Sequence, residues 1–66
     1  QEAQAMTTYV CVMIRTKDTE SWGMAIGYAI GEHYTAMDAW QEANKYIDNN
    51  KKVWPNMQFK IDMKEW

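Results

Sequence analysis

A hydrophobic segment in the middle of this chain alternates large and small residues with a period of two, and the rest of the fold must fit around that segment. From Trp22 to Gly31, large residues alternate with Gly and Ala (WGMAIGYAIG). Because successive side chains of a strand point to opposite faces, the pattern predicts a strand with one bulky face and one nearly bare face. A helix with GxxxGxxxG spacing is the weaker interpretation. The run is about half of the roughly 20 residues of a membrane span, and each glycine costs a soluble helix about 1 kcal/mol.

Two further segments also have strand periods. Residues 7–15 (TTYVCVMIR) are rich in β-branched side chains and apolar on both faces, which is typical of a strand covered on both sides. One face would carry Val10, Val12 and Ile14, and the other Tyr9, Cys11 and Met13. The polar residues 16–21 (TKDTES) predict a hairpin turn between the first two strands. Residues 57–66 (MQFKIDMKEW) alternate apolar with charged side chains and predict a third strand, covered on one side.

The segment 34–50 changes to the period of a helix. Thr35 is the expected N-cap, with Asp38 three residues later, and Asn49 and Asn50 are expected to end the helix in the left-handed conformation. Residues 51–56 would then be a connector. The apolar face should comprise Ala36, Ala39, Trp40, Ala43 and Ile47, with Met37 and Tyr46 on its flanks.

These elements predict an α+β fold of order ββαβ: a three-stranded antiparallel sheet, order 2-1-3, with one helix packed on one face. The first strand is placed in the centre because both of its faces are apolar; the alternative sets the third strand beside the second in a parallel arrangement. The pattern leaves open whether Trp40 lies over the Gly/Ala stripe or the bulky stripe faces the helix. Residues 7–66 should form one domain, and residues 1–6 a flexible lead or an expression remnant.

Composition restricts the classes of function. Seven basic and nine acidic residues give a net charge of −2, which argues against direct nucleic-acid binding. The single Cys11 excludes an internal disulfide and weakly favours a reducing cytosol; no Cys/His cluster offers a metal site, no cofactor motif is present, and no segment predicts a membrane span. A domain of 66 residues with six Met, four Trp and four Tyr cannot hide them all in one small core. We therefore expect a homodimer, with Gly23, Gly27 and Tyr28 at a dimer or close-packing surface.

Catalytic chemistry is weakly represented. His33 is the only histidine and is expected to be a solvent-exposed turn residue rather than a general base. Cys11 lies in an apolar strand, where its pKa should rise rather than fall, so it is expected to be structural. Carboxylates on the helix (Asp38, Glu42 and Asp48) are either a solvated face or a recognition surface. We expect the protein not to be an enzyme.

The chain resembles the small dimeric inhibitors of uracil-DNA glycosylase made by certain tailed phages. The likeness rests on the apolar first strand (TYVCVMI), the acidic hairpin loop (KDTES), the second strand (IGYAIGEHY), the helix (MDAWQEANKY) and the last strand (MQFKIDMKEW). In that family a homodimer occupies the enzyme's DNA cleft, and helix aromatics form a pocket for the side chain that the enzyme wedges into DNA. Nearby carboxylates stand where phosphates would.

The resemblance implies that Trp40 and Tyr46 form the pocket, and that Glu42, with Asp38, mimics phosphate. The family's aromatic-acid-aromatic spacing is not reproduced here, because Gln41 follows Trp40 and the acid comes one residue later. The implied setting is the cytoplasm of an infected bacterial host. Two alternatives remain: a homodimeric interaction module that inhibits or regulates another enzyme, and, least favoured, an enzyme built around His33 and Tyr34.

Overall fold

The computed structural model describes residues 6–66, and the fold has the order ββαβ. Strand β1 spans Thr8–Thr16, β2 Gly23–Ala29, helix α1 Ala36–Val53 and β3 Met57–Glu65. The sheet is antiparallel with the order β2-β1-β3, which confirms the predicted α+β architecture and the central first strand. Residues 1–5 of the predicted lead lie outside the described residues, and Met6 is exposed.

The core lies between the sheet and α1. Val10 and Val12 of the central strand are fully buried and pack with Ala39 and Ala43 of the helix, whose small side chains let the helix approach the sheet closely. We call this surface of the sheet the helix face, and the opposite surface, which carries Tyr9, Cys11 and Met13, the open face. The predicted division of β1 between two faces is confirmed.

A β-bulge in β2 makes the prediction of one bulky and one bare face wrong. Val12 pairs with Ile26 but the next residue, Met13, pairs with Met24, so Ala25 is an extra residue in β2. One extra residue moves all following side chains to the other face. Ile26 and Tyr28 therefore pack on the helix face, while Met24 lies on the open face, where Gly27 and Ala29 also point.

Strand β2 is shorter at both ends than the predicted strand, which begins at Trp22 and includes Gly31. The strand ends at Ala29, and a turn follows in which the N–H of Gly31 donates to the carbonyl of Tyr34 at 2.8 Å. Gly31 has a φ of +98°, a conformation that a side chain disfavours. This turn brings Tyr34 back against Tyr28, with the rings edge to face at 5.4 Å.

The helix is longer than predicted. It ends at Val53 rather than at Asn49 or Asn50, and among the described residues no non-glycine residue has a positive φ. The Asn50 side chain donates to the Tyr46 carbonyl at 2.8 Å, and the Asn50 carbonyl accepts from the N–H of Trp54 at 2.8 Å. The asparagines are thus part of the last helical turns, and Trp54 caps the helix.

Trp40 does not fill the core. Its side chain is 39% exposed and Met37 is 70% exposed, whereas Tyr46 and Ile47 pack against the buried cluster. The bulky residues of β2 after the bulge already occupy the helix face, which settles the alternative that the sequence left open: the helix lies on large side chains, not on the Gly/Ala stripe.

Candidate functional site

The candidate partner-binding residues lie in the first three turns of α1. Thr35 caps this helix: its backbone is extended, and its Oγ1 accepts the N–H of Asp38 at 3.1 Å, as predicted. Asp38 itself stands in the first turn, where the positive end of the helix dipole stabilises a carboxylate. The cap therefore fixes where the helix begins.

Asp38, Glu42 and Tyr46 share one flank of the helix. They are spaced four residues apart, and residues at this spacing lie one above the other on a helix. Burial raises the pKa of Tyr28 in β2, and the charge of Glu42 and the neighbouring Tyr34 and Tyr46 raise it further. Glu42 and Tyr46 thus lie on the side of the helix that is near Tyr28 of β2. We call the surface formed by Asp38, Glu42 and Tyr46 the β2 flank.

Trp40 lies on a different side of the helix. With about 100° per residue, its side chain leaves the helix about 200° away from those of Asp38 and Glu42. The exposed neighbour on the same side is Met37, three residues earlier. The structure thus brings Asp38, Glu42 and Tyr46 together and sets Trp40 apart with Met37.

The helix carries three acids and three bases, and their positions differ. Glu42 lies 3.4 Å from Lys45, and Asp48 lies 3.4 Å from Lys51, both in exposed i,i+3 pairs. Among the described residues, Asp38 has no such partner within 4.0 Å. Exposed pairs contribute little free energy and leave their carboxylates accessible. Negative charge is therefore concentrated at the N-terminal end of α1.

An open depression of about 360 Å³ adjoins this end of the helix. It contains two carboxylates, the imidazole of His33 and the ring of Tyr34. Thr35 also lines it, and its Oγ1 accepts the N–H of Asp38. The lining residues are Ile30, Gly31, Glu32, His33, Tyr34, Thr35 and Asp38. An acidic depression with an aromatic wall can bind a basic or apolar group.

Cys11 is fully buried on the open face. Desolvation raises the pKa of its thiol, the charge of Lys64 lowers it, and that of Asp62 raises it. The thiol is therefore protonated near neutral pH and is a poor nucleophile. The described residues contain no group of three or more metal-ligating side chains.

The candidate contact glycines have room around them. A Cβ built on Gly27 would lie 3.6 Å from Cys11 Sγ and from Tyr9 Cδ2, which is ordinary contact, and a Cβ on Gly23 would meet nothing within 4 Å. Neither glycine is therefore required by close packing within one chain. Tyr28, the third residue of that group, is only 8% exposed and belongs to the core.

An aromatic arrangement on the open face was missed by the sequence reasoning. Two cations lie over the ring of Trp22, with Arg15 Cζ 4.5 Å and Lys60 Nζ 4.7 Å from the ring centroid. At the other end of the face, Trp66 packs on Tyr9 with ring centroids 5.2 Å apart. The alternation of β3 predicts that Lys60 points away from the core, but the contact with Trp22 that it shares with Arg15 is seen only in the three-dimensional structure.

The helix of the described chain is not long and apolar enough to cross a membrane. Comparisons of the chain with models of protein families, with curated proteins and with solved structures found no match.

Proposed function

We propose that this chain is a protein inhibitor that binds the DNA-binding cleft of uracil-DNA glycosylase by mimicking DNA, as a phage product in the cytoplasm of an infected bacterium. The observation that carries the proposal is the β2 flank, where the carboxylates of Asp38 and Glu42 lie in line with the ring of Tyr46. The resemblance of the sequence to the phage inhibitors supplies the choice of enzyme.

The chemistry of this flank fits the task. An enzyme that flips a base out of DNA carries a basic cleft and an apolar wedge. A competitor needs negative charge and an apolar surface at a fixed spacing, on a rigid element. Asp38 offers an unpaired carboxylate, Glu42 a second one about one helical turn away, and Tyr46 a half-buried ring beyond it. The helix holds all three on one side.

The geometry changes the role first assigned to Trp40. The side chain leaves the helix on the far side from both carboxylates, so Trp40 and Tyr46 do not enclose a pocket with Glu42 within one chain. In the proposal, Tyr46 is the aromatic contact of the acidic flank. Trp40 and the exposed Met37 belong to a separate apolar surface.

The test is a titration of glycosylase activity with the protein, at a constant concentration of uracil-containing DNA. We expect stoichiometric inhibition by the wild type. No inhibition at a large molar excess would refute the proposal.

Variants then locate the contact. Glu42→Gln and Asp38→Asn should lower the association rate and weaken its salt dependence, because rim charges steer encounter. Asp48→Asn is the matched control: it removes the same charge from the same helix outside the flank. Tyr46→Ala should instead speed dissociation, since truncation of a buried aromatic anchor commonly costs about 2 kcal/mol of binding or more. Equal effects of all three carboxylate variants would exclude a local contact.

A second candidate function is a homodimeric interaction module that regulates another enzyme. The exposed pair Met37 and Trp40 favours it, since Met and Trp are enriched at protein interfaces and these two lie away from the acids. Trp40→Ala distinguishes the two functions: it should leave glycosylase inhibition unchanged if the β2 flank binds, and abolish partner binding if the module is correct.

A further inference from the structure

The end of the sheet where β1 stops and β3 begins is basic. Thr16 pairs with Met57 there, the hairpin loop follows Thr16, and the C-terminal end of α1 leads into Met57. Five of the seven basic residues lie on these elements, together with only three acids. The bases are Arg15, Lys17, Lys51, Lys52 and Lys60, and the acids are Asp18, Glu20 and Asp48. We call this part of the molecule the basic end.

The opposite end of the sheet has the other sign. Glu32 and Asp38 line the depression beside the start of α1, and Glu65 stands where β3 ends. Lys64 is the base there, and it lies 3.8 Å from Asp62. About 27 Å of β1 separates the two ends, more than the Debye length of about 8 Å at physiological ionic strength. The net charge of −2 therefore does not describe the field at the basic end.

Two apolar side chains project from the basic end. Val53 is 64% exposed and Trp54 is 56% exposed. The N–H of Trp54 donates to the Asn50 carbonyl at 2.8 Å, and the Trp54 carbonyl accepts from the N–H of Met57 at 3.0 Å. The indole is therefore exposed on an ordered turn, at the point where the helix gives way to β3.

Lys51 and Lys52 directly precede this apolar pair. Lys51 lies 3.4 Å from Asp48, and both side chains are more than half exposed, whereas Lys52 has no carboxylate within 4.0 Å among residues 6–66. The positive charge is thus only partly neutralised within the chain. An exposed Trp beside such lysines suits the headgroup region of an anionic bilayer, because an indole is stable at the water interface and lysines are attracted to anionic lipids.

We propose that the basic end docks on the surface of an anionic phospholipid bilayer, with the side chains of Trp54 and Val53 at the level of the headgroups. Lys51 and Lys52 lie beside the lipid phosphates in this orientation. Arg15 and Lys60, which share the ring of Trp22, add positive charge at the same end. A protein that lies on a bilayer in this way needs no segment that spans it.

The apolar pair favours a lipid surface over other polyanions. Proteins bind single-stranded nucleic acid with aromatic rings that stack on bases along a basic groove, and Val53 offers no ring for stacking. A folded acidic protein would need a cavity shaped for two projecting side chains, whereas a bilayer admits them at any point of its surface. The docking does not depend on the proposed inhibition.

Flotation with phospholipid vesicles is the first measurement. We expect the wild type to bind vesicles of phosphatidylglycerol and phosphatidylcholine but not vesicles of phosphatidylcholine alone, and to bind less as the salt concentration rises. Equal binding to both kinds of vesicle, or binding to neither, overturns the proposal. Binding to a thymidine oligonucleotide without binding to anionic vesicles also overturns it, and would assign the basic end to nucleic acid.

Two matched pairs of variants locate the contact, after circular dichroism has established that each variant is folded. Trp54→Ala should weaken vesicle binding by about ten-fold or more, because the apolar ring is lost. Its control is Trp66→Ala, which removes an indole that is 57% exposed at the opposite end. Lys52→Gln should weaken binding by about five-fold, and Lys64→Gln at the opposite end should not. Equal effects within either pair contradict the proposed orientation.

Quenching by brominated lipid tests which indole enters the bilayer. The fluorescence of the wild type should fall when the phosphatidylglycerol of the vesicles carries bromine on its acyl chains. Trp54→Phe keeps an apolar ring at the same position, so it should still bind the vesicles but lose most of this quenching. Quenching that persists in bound Trp54→Phe would mean that another Trp enters the bilayer, and would overturn the proposal.

Discussion

Replacing Gly27 by Ala should stabilise the folded chain, although the sequence places Gly27 at a dimer or close-packing surface, where an added side chain would be unfavourable. The added Cβ would make van der Waals contact with Cys11 Sγ and Tyr9 Cδ2 at 3.6 Å and with Met24 Sδ at 3.8 Å. The backbone at Gly27 is not left-handed, because Gly31 is the only described glycine with a positive φ. An Ala therefore fits the native conformation without strain.

The size of the expected stabilisation follows from the conformational entropy of the unfolded chain. Ala has fewer accessible conformations than Gly, and a compatible replacement contributes about 0.4–1 kcal/mol to the free energy of unfolding. For 66 residues, an unfolding entropy of about 2.1 cal/mol/K per residue gives about 140 cal/mol/K in total. The melting temperature should therefore rise by about 3–7 °C.

The assay is thermal unfolding followed by circular dichroism at low protein concentration, where association contributes little. Gly31→Ala is the matched control: space is free around it, but its φ of +98° makes a side chain strained, so stability should fall by about 1–3 kcal/mol. A lower melting temperature for Gly27→Ala would refute the reasoning, because it would mean that another backbone or side chain already occupies the space above Gly27.

Three further predictions concern the core, the helix cap and pH. Val12→Ala opens a cavity at a fully buried position and should cost about 2–3 kcal/mol in chemical denaturation; a loss below about 1 kcal/mol would contradict the central place of β1. Thr35→Ala removes the acceptor of the Asp38 N–H and should cost about 1 kcal/mol, whereas Thr35→Ser should retain most of the stability. Because the folded pKa of Tyr28 is raised above 10.0, its stabilising contribution is complete below pH 10 and is lost as the pH rises through the folded value; Tyr28→Phe should flatten this alkaline loss in urea titrations at several pH values.

The sheet and its order could be predicted because each strand has a distinct pattern. Strand β1 is apolar on both faces and β3 on one, which is enough to place β1 in the centre. The bulge could not be predicted, because Ala25 continues the regular alternation of large and small residues, and nothing in the sequence marks it as an extra residue. Its effect is large all the same, since it reverses which side chains of β2 face the helix.

The helix illustrates how local signals compete. The Thr35 cap is encoded by a side chain that reaches its own helix, so the N-terminus follows from the sequence. Two consecutive asparagines predict an end, yet the Asn50 amide donates back to the Tyr46 carbonyl and the helix continues. Periodicity alone places Trp40 on the apolar face of the helix, but Ile26 and Tyr28 of β2 fill the space beside the buried helix residues, and Trp40 remains exposed.

The central position of β1 also determines the order in which the chain can fold. Its hairpin with β2 joins residues near in sequence, whereas its pairing with β3 closes loops as long as that from Thr8 to Glu65. Contacts of such sequence separation form slowly, because loop closure must precede them. Before β3 has paired with β1, residues 10–14 of β1 (VCVMI) have one unpaired strand edge and an uncovered apolar surface. The rate at which β3 pairs with β1 should therefore affect both the folding rate and the tendency of the partly folded chain to aggregate.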